Sequence, residues 1–271
     1  RDRSVSRGLG DVYKRQVLSN VGNAAFNDPF YGWIDNEQIY FADRNTGIRR
    51  IGVNERNLAL STSDAKYDYF VQNNRLEYYG NPWQYGAMNA CFAKADGLWY
   101  WGKTYGGGGI FRFAESDISP VDISRGTNPP YATIFPDEFV KSFVIDATNQ
   151  ILYAVIRDKG LYAVPLTDIT ANDATKTNTK AESKYLVASF KSDSEGSVGE
   201  YVDVCQMVLD NSDGSVYFGL RAEEGSSETS GVKRWNPTTK KLETIVSGVN
   251  VYGIALNNEL SLIHISEPTR H

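Results

Sequence analysis

The amino-acid sequence predicts an all-β protein, a partial β-propeller of about four four-stranded blades with the start of a fifth. Three observations lead to this prediction. A short pattern ending in tyrosine occurs four times, at intervals of 53 to 64 residues. Each copy is preceded by an apolar stretch and followed by a glycine next to a branched apolar residue. The chain of 271 residues also contains 17 Tyr and 24 Gly, which favour strands and tight turns over helices.

The repeated pattern is Asp or Asn, two variable residues, a large apolar residue and then Tyr. Its copies are residues 36–40 (NEQIY), 96–100 (DGLWY), 149–153 (NQILY) and 213–217 (DGSVY). Asp and Asn, particularly beside Gly, accept the positive backbone φ of a tight hairpin turn. The apolar and aromatic residues that follow predict a strand buried on at least one face. Each copy therefore marks a turn and the strand after it.

Three more strands complete each unit. The strands before the pattern are residues 31–34, 88–93, 142–145 and 204–209. The strands after it open at Gly47-Ile48, Gly109-Ile110, Gly160-Leu161 and Gly231-Val232. In the last unit, residues 236–240 (NPTTK) predict a turn and residues 242–246 an outer strand. Four antiparallel strands recurring at this period are typical of propeller blades.

A fifth unit begins at residues 251–257 (VYGIALN), where the apolar stretch recurs. The units are longer than a typical blade, so we expect insertions. The candidates are residues 62–87, which are rich in Tyr and Asn, and residues 167–184, which are polar. A β-sandwich is the alternative all-β fold, but the regular spacing of the tyrosine pattern argues against it.

In this blade pattern the chain resembles a broad class of bacterial propellers: NHL repeats, gluconolactonase-like proteins and two-component-regulator propellers. The resemblance covers most of residues 31–257 and is confined to the blade pattern. No family-specific signature accompanies it, so no functional residue is transferred from these families. The resemblance implies a bacterial protein of the cell envelope or the extracellular space.

The two ends of the chain are related at the level of codons. Residues 11–16 (DVYKRQ) and 260–265 (LSLIHI) can be encoded by complementary DNA strands, and so can residues 6–10 (SRGLG) and 266–270 (SEPTR). These ends resemble a translated sequencing-library adapter, and an inverted repeat in the gene is the alternative. We therefore expect residues 1–16 and 260–271 to be non-native, and residues 17–259 to be a propeller fragment.

The charge balance excludes several classes of function. Residues 17–259 contain 22 Lys or Arg and 30 Asp or Glu, a net charge of −8, and no histidine. A nucleic-acid partner is not expected, because neutralising phosphates requires a basic surface. Catalytic sets that depend on histidine cannot form from these residues. No apolar run in them is long enough to span a bilayer.

One segment matches a nucleotide-binding pattern. Residues 97–104 (GLWYWGKT) fit the sequence G-x-x-x-x-G-K-T. That motif needs small residues, whose backbone N–H groups wrap a phosphate ahead of a helix. Here Leu, Tyr and two Trp fill the loop, and the segment coincides with a predicted blade strand. We therefore predict no nucleotide site.

Three aromatic residues are the candidate ligand-binding residues. Trp83, Tyr85 and Tyr105 fall in loop-like sequence rich in Gly, Asn and Pro. Exposed aromatic side chains in loops contribute strongly to contacts with protein or carbohydrate ligands. Packing within the loops themselves is the alternative interpretation.

Four residues that follow inner strands are candidate metal ligands: Asp35, Asp146, Asp210 and Asn257. The resemblance to gluconolactonases implies a divalent metal such as Ca²⁺, held in the central channel by carboxylates and amides from several blades. The four residues converge there only if their turns face the channel. A role in the turns at the blade edge is the alternative.

Two functions follow from these observations. The first is a non-catalytic binding or scaffold module without a cofactor, which takes a protein or carbohydrate ligand. The second is a metal-dependent hydrolase resembling gluconolactonases. The acidic charge and the abundant Tyr, Asn and Gly favour the first, so we expect no enzymatic activity.

Overall fold

The computed structural model describes residues 18–19, 29–43, 47–53, 58–59, 68–71, 92–103, 109–114, 132–157, 159–169, 178–189, 203–221, 230–257 and 262–265. These residues form strands, turns and two short 3₁₀ helices, without an α-helix. The chain divides into two compact units. Unit 1 comprises Arg1–Ala87 and Ile118–Asn128, and unit 2 comprises Met88–Asp117 and Pro129–His271.

Four strands among the described residues of unit 1 form an antiparallel sheet, called blade 1 here. Two shorter strands outside this sheet, β1 (Leu18–Ser19) and β5 (Leu58–Ala59), pair in parallel. The strands of blade 1, in spatial order, are β2 (Pro29–Asp35), β3 (Gln38–Asp43), β4 (Gly47–Gly52) and β6 (Asp68–Val71). The outer strand β6 falls within residues 62–87, so part of the expected insertion completes the blade.

Unit 2 contains three further sheets of the same design. The strands of blade 2 are β7 (Phe92–Ala95), β8 (Leu98–Lys103), β9 (Gly109–Ala114) and β10 (Ala132–Ile134). The strands of blade 3 are β11 (Val140–Asp146), β12 (Ile151–Ile156), β13 (Gly160–Pro165) and β15 (Leu186–Ser189). The strands of blade 4 are β16 (Asp203–Leu209), β17 (Val216–Arg221), β18 (Gly231–Asn236) and β19 (Lys241–Ser247). The all-β propeller class and its four-stranded blades are confirmed.

The predicted hairpin turns lie where the tyrosine pattern placed them. Between β7 and β8, Asp96 and Gly97 have φ of 53° and 73°. The equivalent turns of blades 1, 3 and 4 also contain positive φ, at Asn36, Gln150 and Gly214. The tyrosine that ends the pattern is the third residue of the second strand in blades 1, 2 and 3, and it is buried at Tyr40, Tyr100 and Tyr153.

A register shift recurs in the innermost strands of three blades. The innermost strand shifts register near its start in blades 1, 3 and 4, between Pro29 and Tyr31, Val140 and Ser142, and Val204 and Gln206. Bulges of this kind increase the local twist of a strand. Since their positions correspond in blades 1, 3 and 4, these three units repeat in backbone conformation as well as in sequence.

The glycine that opens the third strand has a steric role. A Cβ on Gly160 would lie 2.0 Å from the carbonyl oxygen of Ala188, and one on Gly231 would lie 1.9 Å from that of Val246. Both carbonyls belong to the outer strand of the same blade. The φ angles of these glycines, 148° and 139°, also disfavour any residue with a Cβ. The repeated glycine therefore lets the outer strand approach the third strand closely.

Blade 3 buries both of its faces against neighbouring sheets. In β12, Leu152, Ala154 and Ile156 pack in one core with Tyr100 and Ile110 of blade 2. The alternate residues Tyr153 and Val155 pack in a second core with Phe218 and Leu220 of blade 4. Side chains of a strand alternate between the two faces of its sheet. A sheet covered on both faces by sheets of its own kind is the arrangement expected of propeller blades.

The innermost strands of unit 2 lie next to one another. β11 contacts β16, and β16 in turn contacts β20 (Ile254–Asn257), the first strand of the fifth unit. The backbone N–H of Met207 donates a hydrogen bond of 3.1 Å to Oγ of Ser142, which links two inner strands. β20 forms an antiparallel hairpin with β21 (Leu262–Ile265), which lies in the segment that the codon relation predicts to be non-native.

Residues 167–184 join two blades. They include most of a 3₁₀ helix at Leu166–Asp168, strand β14 (Asn178–Thr179) and the start of a second 3₁₀ helix at Ser183–Tyr185. β14 pairs in parallel with β10, so blade 2 gains a fifth strand from a segment that connects two strands of blade 3. A polar insertion was expected here, but the sequence did not predict that it extends a neighbouring sheet.

Candidate functional site

None of the three residues predicted for ligand binding belongs to the described part of the chain. Trp83, Tyr85 and Tyr105 lie outside the described residues, so their role as ligand-binding residues stays a prediction. The nucleotide-like segment forms strand β8 as expected, and Trp99, Tyr100 and Trp101 in it are buried. Bulky buried side chains on a strand do not form a phosphate loop.

Asp146 and Asp210 stabilise the turns that follow their strands. Asp146 is 3% exposed, and its carboxylate accepts hydrogen bonds from the backbone N–H of Asn149 at 2.9 Å and from Nδ2 of Asn149 at 2.7 Å. Oδ1 of Asp210 accepts hydrogen bonds from the backbone N–H and Oγ of Ser212, at 2.9 and 2.5 Å. Short side-chain to backbone contacts of this kind are typical of Asx turns.

The structure brings these two turns together. A Cβ on Gly214, in the turn after Asp210, would lie 3.3 Å from Oδ2 of Asp146 and 3.4 Å from Nδ2 of Asn149. Gly214 therefore lies directly against Asp146 and Asn149, and the turns of blades 3 and 4 pack side by side. Asp35 ends β2 in unit 1, and Asn257 ends β20.

Among the described residues, no group of three or more His, Cys, Asp or Glu is placed to hold a metal ion. The carboxylates of Asp146 and Asp210 instead accept hydrogen bonds within their own turns. A divalent metal bound by Asp35, Asp146, Asp210 and Asn257 stays a prediction.

A groove between blades 3 and 4 is the candidate binding site. It has a volume of about 510 Å³, within the range of ligand pockets in proteins. One wall is β15 (Leu186–Ser189), the outer strand of blade 3. The remaining lining comes from blade 4, namely Trp235 and the four residues from Thr239 to Leu242.

The wall formed by β15 is the edge of a sheet. In the spatial order of blade 3, β15 pairs with β13 and stands last. No described strand pairs with its other edge. An edge strand carries backbone N–H and C=O groups that can pair with a further strand.

The opposite wall is a rigid turn between β18 and β19. Oδ1 of Asn236 accepts hydrogen bonds from the backbone N–H groups of Thr238 and Thr239, at 2.9 and 3.1 Å. The N–H of Lys240 donates to the backbone oxygen of Asn236 at 2.8 Å, and Lys240 has φ of 55°. These contacts fix the backbone of the turn that borders the groove.

The groove is lined by cationic and apolar residues. Both charged residues in its lining are lysines, Lys240 and Lys241, and both are exposed. Trp235 and Leu242 face each other across β18 and β19 and supply apolar lining. On the same face of blade 4, Nζ of Lys233 donates to Oγ1 of Thr244 at 2.7 Å, and burial lowers the pKa of Lys233.

Sequence reasoning missed this groove, although the turn at residues 236–240 and the outer strand after it were predicted. The other wall, β15, follows the polar segment 167–184, where no strand was predicted. The adjacent lysines at 240 and 241 were a visible signal, but a pair of lysines at a turn is common on solvated surfaces. The groove depends on two blades meeting, which a pattern within one blade does not indicate.

The sequence matches no protein-family profile and no curated protein sequence. Its fold is similar to solved structures at low identity. One is the extracellular domain of a provisionally assigned hybrid two-component system from Bacteroides thetaiotaomicron, with a TM-score of 0.52 and 13% identity over 89% of this chain and 28% of that one. Another is a protein of unknown function from the same organism, with a TM-score of 0.52 and 11% identity over 91% of this chain and 54% of that one.

A provisionally assigned 6-phosphogluconolactonase from Bacteroides uniformis has a TM-score of 0.47 and 9% identity, over 88% of this chain and 63% of that one. These values are too low to support an argument about activity. The chain spans about a quarter of the length of the two-component domain. Similarity at these identities concerns the fold alone. No helix in the described part of the chain has the length and apolar character required to cross a membrane.

Proposed function

We propose that this chain is part of a non-catalytic binding module of a bacterial extracellular or cell-envelope protein, and that the module takes a protein or carbohydrate ligand. The observation that carries the proposal is the groove of about 510 Å³ between blades 3 and 4. It joins an apolar lining, a sheet edge and two cationic side chains, the mixture that ligand sites in proteins use for affinity and orientation.

The fold supports this proposal in a general way. Blade 3, buried on both faces, provides a rigid frame, and loops and sheet edges at such a rim are the usual places for binding. The extracellular position is supported by the similarity in fold to the extracellular domain of a two-component system. Binding without catalysis is favoured because the carboxylates of Asp146 and Asp210 are committed to their own turns.

A ligand screen with a groove variant tests the proposal. The full chain is immobilised, and a panel of oligosaccharides and unstructured peptides is passed over it with interferometric detection. We expect saturable binding of at least one ligand, weakened at least about tenfold by Leu242→Arg, because a charge then occupies apolar lining of the groove.

Ile245→Arg is the matched control, since Ile245 lies on the same strand, is 45% exposed and does not line the groove. The control should bind as the natural chain does, and the melting temperatures of both variants report whether they remain folded. Saturable binding to no ligand of either class would contradict the proposed function.

A further inference from the structure

We propose that the outer edge of β15 accepts an extended acidic peptide as an added strand, with the carboxylates of the peptide against Lys240 and Lys241. The inference rests on the proposed function and names the partner of the groove. Three observations carry it: the edge that borders the groove, the strand added to the corresponding edge of blade 2, and the charge of the lining.

The edge has the dimensions of a peptide site. All four residues of β15 line the groove. At about 3.3 Å per residue, Leu186, Val187 and Ala188 provide an edge of roughly 10 Å, enough for three residues of an extended chain. An added strand gains affinity from backbone hydrogen bonds, and pockets for its alternate side chains provide specificity.

Blade 2 shows that the outer strand of a blade in this chain can take an additional strand. β14 pairs in parallel with β10, which is the outer strand of blade 2 as β15 is of blade 3. The contact continues past the strand end, where the N–H of Phe135 donates to the backbone oxygen of Thr179 at 2.6 Å. At blade 3 the equivalent edge borders the groove.

The charge of the lining selects an acidic partner. Lys240 and Lys241 are exposed at the rim, and the lining contains no acidic residue. The backbone of the turn that carries Lys240 is fixed by Asn236, so no backbone entropy is lost there when a carboxylate binds. Charges at the rim of an interface determine which partners associate and how fast.

The same residues disfavour a neutral carbohydrate in this groove. Sugar rings bind well where an aromatic face is accessible. The aromatic residue of the lining, Trp235, is 6% exposed, so little of its ring can be covered by a ligand. A strand that uses backbone hydrogen bonds and carboxylates does not need that ring.

A fluorescently labelled peptide of alternating Glu and Val tests the inference, with anisotropy measured on the full chain. We expect saturable binding that Lys240→Glu combined with Lys241→Glu weakens at least about tenfold. Lys180→Glu is the matched control, because Lys180 is exposed and does not line the groove. It should change the affinity by less than about twofold, and an equal loss in both variants would overturn the inference.

A second peptide separates strand addition from simple charge attraction. The same sequence with alternate backbone amides methylated keeps its carboxylates but loses backbone donors. We expect its affinity to fall at least about tenfold in the register whose methylated amides would otherwise donate hydrogen bonds to β15. Undiminished binding of the methylated peptide, in both methylation registers, would overturn strand addition.

Failure of this inference can be told from failure of the proposed function. If the acidic peptide does not bind, while another ligand binds in a way that Leu242→Arg abolishes, the inference is wrong and the proposed function stands. If no ligand of either class binds, both are wrong.

Discussion

Asp213 is the most constrained carboxylate of the turn between β16 and β17 in blade 4. Its two oxygens accept hydrogen bonds from the backbone N–H and Oγ of Ser215, at 2.8 and 2.9 Å, and from a terminal nitrogen of Arg234 at 2.6 Å. Burial by itself works to raise the pKa of Asp213. The hydrogen bonds and the positive charge of Arg234 outweigh that effect, so the pKa lies below its ordinary value.

A lowered pKa makes the contribution of Asp213 dependent on pH. The unfolded chain binds the proton more tightly than the folded chain, so the stabilisation is complete above the unfolded pKa of about 4 and disappears as the pH falls through the folded pKa. Asp213→Asn should therefore lower the free energy of unfolding at neutral pH and reduce its decline in acid. Because the side chain is 41% exposed, the loss should be under about 1 kcal/mol.

Urea unfolding at neutral pH and near pH 3 measures this difference. Asp137→Asn is the control, since Asp137 is an exposed carboxylate in another turn. A decline in acid that is as steep in Asp213→Asn as in the control would show that the contacts of Asp213 do not contribute to stability.

At the scale of the element, the glycine that opens the third strand explains how a blade closes on its outer strand. Gly231→Ala would place a methyl group 1.9 Å from a backbone oxygen of β19, which cannot move without breaking the pairing of β18 with β19. We expect a loss of at least about 2 kcal/mol in the free energy of unfolding.

Gly97→Ala is the matched control for that substitution. Gly97 has φ of 73°, but a Cβ there would meet nothing within 4 Å. Gly97→Ala should lower the free energy of unfolding by about 1 kcal/mol, the cost of a positive φ for alanine without a steric clash. Chemical denaturation measures the free energy of unfolding of both variants. Equal losses would mean that the close approach of the outer strand to Gly231 does not affect stability.

The strands that the sequence predicted are those determined by residue patterns within one blade. The tyrosine pattern located turns such as Asp96-Gly97, because positive φ leaves a strong mark on composition. The glycine at 231 was predicted to open a strand, but its reason, a carbonyl of a strand 15 residues away, is visible only in three dimensions. The groove and β14 were missed because both depend on contacts between blades.

At the scale of the whole molecule, blades 2 and 3 are coupled by specific contacts as well as by the hydrophobic core that they share. Phe135 of blade 2 is fully buried and packs edge-on against Tyr162 of blade 3, with ring centroids 5.4 Å apart. A terminal nitrogen of Arg112 in β9 donates to the backbone oxygen of Ile169 at 3.4 Å. β14 then pairs across the same boundary. These contacts should make the two blades unfold together.

Phe135→Ala tests this coupling. Truncating a fully buried Phe should cost about 3–5 kcal/mol, because a cavity opens between the two sheets. Native-state hydrogen exchange should show that amides of β9 and of β13 lose protection to a similar extent. Phe139→Ala is the control, since Phe139 is 36% exposed, and it should cost less than about 1 kcal/mol. Loss of protection confined to blade 2 would contradict the coupling.

The placement of β14 also bears on how such a protein can evolve. Propellers grow and shrink when a stretch of gene encoding one blade is copied or lost. Here the fifth strand of blade 2, β14, is encoded within the stretch that encodes blade 3, between β13 and β15. Loss of the stretch that encodes blade 3 would also remove β14 and leave the edge of β10 in blade 2 without it. The stretches that encode blades 2 and 3 are therefore expected to be inherited as a pair.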